Sequence, residues 1–422
     1  MNTREIKARI ILAGGNITCA KGVYRVPSQT GTGSYRVTLD GLFPTCSCED
    51  FDTNRCDCKH IIAARLWIEH QATHEIAAIR PKLEAPEPPK RKTYKQDWPN
   101  YDAAQHNEKD HLQDLLSNLC KSIPEPAPKG GKKGGRPTVP MRDVAFLSVF
   151  KVYCGMSARR FMSDMRETHE RGCIAKPVAH TSVIKAMESE ALTPILHDLI
   201  RRSAAPLAAV ETDFAVDSSG FCTNSYTRWF DVKYGEKTQQ KWVKAHISAG
   251  VKTNCIAAVE IHEQHTADSP VLPSLVATTA ATFNVREVSA DKAYTATNNF
   301  NAVEMVGGTL YAAFKSNTTG SVGGIYERMW HLFCANREDY LQHYHKRSNV
   351  ESTFSAVKRL FGEMVRSKTD TAQKNEVLCK FVAYNITCLI HAAYELGITP
   401  PGWKRDEPQD DAPAILRFPG VA

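Results

Sequence analysis

Residues 46 to 60 read CSCEDFDTNRCDCKH, four cysteines and one histidine within fifteen positions. No other stretch restricts the fold so strongly. Thiolates and an imidazole are the ligands that a tetrahedral zinc ion takes, and two close ligand pairs joined by a short loop can close such a site. The chemically sensible set is Cys46, Cys48, Cys58 and His60, with Cys56 spare; the alternative set puts Cys56 in place of Cys58. With four protein ligands there is no open position for water, so the ion would be structural.

The remaining nine of the 13 cysteines are scattered. The opening MNTREIKARIILAGGN has charges where a secretory signal needs an apolar run, and no apolar run approaches the roughly 20 residues that span a bilayer. The chain is therefore expected to be cytosolic, with reduced thiols. Its 422 residues allow two or three domains. The 53 Lys and Arg exceed the 46 Asp and Glu by 7, a modest excess that suits contact with nucleic acid without requiring it.

Around the cluster, residues 22–48 alternate β-rich runs with turn residues, and residues 58–71 carry an apolar stripe at Ile61, Ile62, Leu66 and Trp67. Residues 1–78 are thus expected to form a small β-meander followed by a helix. Residues 79–140 are rich in Pro, Lys and Gly and read as linker, with a short helix around EKDHLQDLLSNLC. Residues 141–204 read as three or four helices broken by CGMS, the second capped by Ser157. From Leu207 the order strand, strand, strand, helix, strand, helix, strand, helix predicts an α/β domain with a mixed sheet over 205–398, ending in the apolar helix EVLCKFVAYNITCLIHAAYEL. Residues 399–422 read as a flexible tail.

The Cys-x-Cys, spacer, Cys-x-His arrangement resembles the SWIM-type zinc finger, and the β-rich lead-in and following helix agree with it. The resemblance implies a recognition role for residues 1–78, toward DNA or protein.

In HYHKRSNVESTFSAVKRLFG, residues 343–362, one glutamate stands among cations. At about 100° per residue, Tyr344, Arg347, Glu351 and Lys358 fall within about 60° of one another on a continuous helix. Phe354, Val357 and Phe361 form an apolar edge beside them. A carboxylate beside Arg and Lys can ligate a hard cation while its neighbours meet phosphate oxygens. Partners are expected at strand ends. Asp217 closes FAVD before an expected SSG turn, and Asp291 closes VREVSAD. Asp213 shares a strand face with Asp217 but lies about 13 Å along it, so only one of the two can serve. Asp268, before Ser-Pro, reads as a helix cap.

Tyr-x2-Arg-x3-Glu-x6-Lys at Tyr344, Arg347, Glu351 and Lys358 resembles the signature around the catalytic glutamate of DDE-type insertion-sequence transposases. AVDSSGF and SADKAY resemble their two aspartate blocks, and the likeness covers about residues 205–395. It implies a ribonuclease H-like core preceded by a helical DNA-binding segment, and Mg²⁺- or Mn²⁺-dependent cleavage and strand transfer of transposon ends. Carried across, Asp217, Asp291 and Glu351 are the metal-binding triad, Arg347 and Lys358 contact end DNA, and Tyr344 positions a phosphate or displaced nucleotide. The implied partners are double-stranded DNA of terminal repeats and target, and a second copy of the chain in a dimer or larger assembly. The implied setting is bacterial cytoplasm at the nucleoid, with no membrane. The alternative is a silent, transposase-derived DNA-binding regulator. The front zinc module departs from the usual plan of those enzymes. The arm PKGGKKGGRP reads either as a plain solvated linker or as a minor-groove contact, Arg159, Arg160 and Arg166 as phosphate contacts or a plain exposed face, and KRKTYK at 90–95 as at best a sequence-independent phosphate contact.

Overall fold

The computed structural model describes residues 3–14, 16–29, 33–39, 43–72, 96–125, 138–223, 233, 235, 241–315, 318–320 and 322–403. The chain divides into two compact units, residues 1–94 and 95–422. KRKTYK and the whole of PKGGKKGGRP lie outside the described residues.

The first unit is an antiparallel meander, β1 (Thr18–Ala20), β2 (Val23–Pro27), β3 (Ser34–Thr38) and β4 (Thr45–Cys46), paired in chain order. Lys21 and Gly22, both at positive φ, make the two-residue turn between β1 and β2 that this hairpin requires. Alternation points Val26, Val37 and Cys46 inward onto helix Lys59–Ala72. An N-terminal helix, Thr3–Ala13, adds Ala8 and Ile11 to that core and was not expected from the sequence.

The second unit centres on a five-stranded mixed sheet ordered β7-β6-β5-β8-β9: β5 (Asp213–Cys222), β6 (Trp242–Gly250), β7 (Ile256–Glu263), β8 (Glu287–Ala290) and β9 (Thr309–Ala312). β5, β6 and β7 pair antiparallel, whereas β5, β8 and β9 pair parallel. The predicted mixed α/β order is therefore present.

Helix Asp370–Leu396 is long and apolar enough to cross a membrane by length and composition, but 83% of its apolar window is buried inside the fold. Asn385 on this helix accepts from Ile256 N–H and donates to the Ile256 and Ile200 carbonyls, tying it to β7 and to helix Leu192–Ala204. The helices Met141–Tyr153, Met162–Glu170, His180–Met187 and Leu192–Ala204 share one continuous core with the sheet. Ser157 does not cap the second of them, which starts at Met162 with Phe161 as its N-cap residue.

Within the stretch expected to be linker, helices Trp98–His106 and Glu108–Lys121 bury Ala104, Leu112 and Leu116 in that core. At the other end, Trp403 stacks on His111 with ring centroids 4.3 Å apart.

Candidate functional site

Asp217 does not end its strand. β5 runs on through Ser218, Ser219 and Gly220 because β6 pairs with it along its whole length. Gly220 is the residue this requires: a Cβ there would stand 2.8 Å from the Trp242 ring. What ends instead is β8. The parallel register closes at Val216–Ala290, so Asp217 and Asp291 follow side by side where the two strands part. Adjacent strands lie about 4.8 Å apart.

The expected continuous helix is broken. Helix Arg337–His345 stops, Lys346 and Arg347 form a turn, and helix Ser348–Phe361 follows. The break sends the four signature residues to different partners. Tyr344 Oη lies 3.4 Å from Asp291 Oδ1. One Arg347 guanidinium nitrogen lies 2.6 Å from Glu351 Oε1 and 3.4 Å from Asp217 Oδ2. Lys358 Nζ donates to Ser219 Oγ at 2.9 Å and sits 5.4 Å from the centre of the Phe221 ring. Asp217, Ser219 and Phe221 alternate on one face of β5, and that face meets this helix.

The structure thus brings Asp217, Asp291, Glu351, Tyr344 and Arg347 together, with Lys358 two strand positions further along. Burial pushes the Asp217 carboxyl above its usual range. The Ser218 N–H, 2.8 Å from Oδ1, and Arg347 oppose that push, while the Asp291 and Glu351 charges add to it. Carboxylate oxygens are the ligands that a hard divalent cation takes; here Arg347 stands between those of Asp217 and Glu351. Beside it, an open groove of about 610 Å³ is lined by Glu351, Ser348, Ser352, Ser355, Arg359 and Asn254.

Asp213 is engaged elsewhere. Arg286 donates to both its oxygens at 3.0 and 2.8 Å, and Lys346 Nζ lies 2.7 Å away. Lys346 also holds Glu287 at 2.6 Å, which pins the turn before Glu351 to β8. Asp268 does not cap its helix. Its carboxylate accepts from Ser218 Oγ at 2.9 Å and Lys244 at 2.6 Å. Neither arrangement is visible as a sequence motif, but the alternation of β5 puts Ser219 on the Asp217 face and Ser218 on the other. Arg159, Arg160 and Arg166 are exposed.

In the first unit, the ligand atoms of Cys46, Cys48, Cys58 and His60 all lie within 4.8 Å of one another, and all four residues are buried. Cys46 sits at the end of β4, opposite Val37. Cys48 is the N-cap of helix Glu49–Asn54, and its Sγ accepts from Phe51 N–H. His60 turns Nδ1 toward Cys46 and Cys58, at 3.8 and 3.9 Å. Cys56 is exposed and lies 3.0 Å from Arg4, so of the two alternative sets the one with Cys58 is assembled. The thiols crowd one another. Cys58 is held far below the ordinary thiol range by hydrogen bonds from Cys46 and His60, while sharing with Cys58 and burial push Cys46 up. A buried set that already favours a thiolate fits zinc.

Residues 209–386 match the family model of the transposase DDE domain, and residues 35–64 match that of the SWIM zinc finger. No curated protein matches the chain. The matched segments contain every residue placed above in the two clusters, so the carboxylate cluster lies in a segment similar to the transposase DDE domain and the Cys/His cluster in one similar to the SWIM zinc finger.

Proposed function

We propose that the chain is a DNA transposase that cleaves transposon ends and joins them to target DNA, on a ribonuclease H-like core. The transposase domain supports the transposase function. The observation that carries the finer reading is the parallel register ending at Val216–Ala290, which leaves Asp217 and Asp291 adjacent and facing the helix of Glu351.

Asp217, Asp291 and Glu351 would hold two divalent cations, Mg²⁺ or Mn²⁺. Such ions, when bound, activate a water or 3′-hydroxyl and stabilise the leaving oxygen of an in-line phosphoryl displacement. The Ser218 N–H occupies Asp217 Oδ1 and orients the carboxylate so that Oδ2 faces the site. Arg347 supplies positive charge against the phosphate, and Lys358, anchored on Ser219, reaches the same strand farther along. Tyr344 closes the Asp291 side and positions a phosphate or a displaced nucleotide. Cys46, Cys48, Cys58 and His60 would hold a structural zinc. Two DNA ends must be held at once, so the working form is a dimer or larger assembly, acting in the bacterial cytoplasm at the nucleoid.

The test is incubation of purified protein with Mg²⁺ or Mn²⁺ and a plasmid bearing its own gene with flanking DNA, wild type beside Glu351→Gln. Metal-dependent breaks at the element boundaries, lost in the variant, are expected. Cleavage that survives the substitution, or flank binding without any cleavage by the wild type, overturns the reading.

A further inference from the structure

The meander of the first unit has one face in the core and one in solvent. On the solvent face the β2–β3 register sets Arg25 directly opposite Arg36. Thr18 stands opposite Arg25 on β1, and Ser47 joins Arg36 from beyond β4. There the Arg36 N–H donates to Ser47 Oγ, and the Ser47 N–H donates to the Arg36 carbonyl. All four residues are exposed. The sheet thus presents a row of hydroxyl, guanidinium, guanidinium and hydroxyl, about 14 Å across.

Like charges directly opposite one another weaken a strand pair. The described residues of this unit include six arginines, and four have a carboxylate: Arg4 with Asp50, Arg9 with Glu5, Arg55 with Asp52 and Arg65 with Asp57. The two without one, among the described residues, are the two that face each other. Folding does not account for this pair, and an anionic partner does.

We propose that the Arg25–Arg36 face grips the phosphate backbone of DNA without reading its sequence. This rests on the DNA-handling reading above and names the surface through which the zinc module takes part. A guanidinium fork matches phosphate oxygens two at a time, and two forks on neighbouring strands can engage successive phosphates. Thr18 and Ser47 flank the pair with hydroxyls, and no carboxylate stands in the row to repel the backbone.

The experiment uses the full chain and a 20-base-pair duplex of arbitrary sequence, with affinity measured by fluorescence anisotropy from low to moderate salt. Arg25→Gln and Arg36→Gln should each flatten the slope of log affinity against log salt by about 0.9, and the double variant by about twice that. Arg9→Gln, whose arginine already has Glu5, should leave the slope as in the wild type. Zinc content should stay at wild-type level, and thermal stability should rise as the repulsion is relieved. A double variant that retains zinc and the wild-type slope overturns the proposal. So does competition by an acidic peptide that depends on Arg25 and Arg36 while DNA binding does not. Glu351→Gln should lose cleavage and keep the slope, so failure of the catalytic reading and failure of this one look different.

Discussion

Arg347 and Glu351 stand one helical turn apart and are joined by a 2.6 Å ion pair, and the same guanidinium nitrogen reaches Asp217 at 3.4 Å. A cation of the protein's own therefore lies between two carboxylates that would bind divalent metal. Arg347 and metal compete for the same oxygens, and an incoming phosphate offers Arg347 another anion. DNA arrival would turn the arginine from the carboxylates to the phosphate and free the acidic oxygens together.

Arg347→Ala should then affect metal and DNA in opposite directions. Without DNA, Mn²⁺ should bind several-fold more tightly, because a nearby positive charge that repels it is gone. With DNA, cleavage should fall by on the order of a hundredfold, the scale of losing a charge-stabilising donor in an active site. Mn²⁺ titration by electron paramagnetic resonance, alongside plasmid cleavage, checks both. Weaker metal binding by the variant would show that Arg347 is not the competitor.

Asp217→Asn should stabilise the metal-free protein at neutral pH while abolishing activity. Burial raises the folded pKa of Asp217 above its unfolded value. Above that folded pKa the buried charge costs stability, and the cost disappears as pH falls through it. Asparagine removes the charge and can still accept from the Ser218 N–H. Thermal melts in a chelator should show the variant above the wild type at pH 7, with the gap closing in acid. Equal melting temperatures at pH 7 would contradict the assignment of the burial cost to this carboxylate.

Removing zinc should unfold the first unit. Its core cluster is small, and three of the buried residues are the candidate ligands Cys46, Cys48 and Cys58. Units of this size commonly depend on a metal or disulfides. Structural zinc contributes on the order of 10 kcal/mol in small fingers. Limited proteolysis after a strong chelator should cut within residues 3–72 while 141–396 resist. Cys58→Ser should reproduce this, and Cys56→Ser should not, since Cys56 lies outside the cluster.

Much of this was legible in the sequence, and the limits have physical causes. Ligand spacing narrowed the buried cluster of Cys46, Cys48, Cys58 and His60 to two alternative sets, because a tetrahedral site restricts both residue type and separation. Runs that alternate or stay apolar between turn residues pointed to β5 to β9. Ser218, Ser219 and Gly220 misread as a turn, because local propensity does not see the Trp242 ring packed over Gly220 or the length of β6. The helix break at Lys346 and Arg347 was equally hidden. It is held by Lys346 pairing with Asp213 and Glu287, 133 and 59 positions away in sequence. Asp268 looked like a cap from its Ser-Pro context, but Lys244 and Ser218, brought up by the sheet, take its carboxylate.

His246 should make the fold sensitive to acid. It is fully buried on β6, opposite Ser218, with Nδ1 3.6 Å from Asp268 and neither ring nitrogen hydrogen-bonded. Burial depresses its pKa to about 4, against the attraction of Asp268 and with Lys244 and His262 adding to the drop. An unfolded imidazole takes its proton near pH 6.5. Between those values the unfolded chain binds more protons, so stability falls as pH falls from about 6.5 toward 4. The loss from this residue approaches on the order of 3 kcal/mol at the lower end. His246→Phe cannot titrate, and its denaturant midpoint should vary less than the wild type's between pH 7 and pH 4.5. Parallel acid profiles for the two proteins would place the sensitivity elsewhere, with the carboxylates around Arg347 and Lys346 the next groups to test.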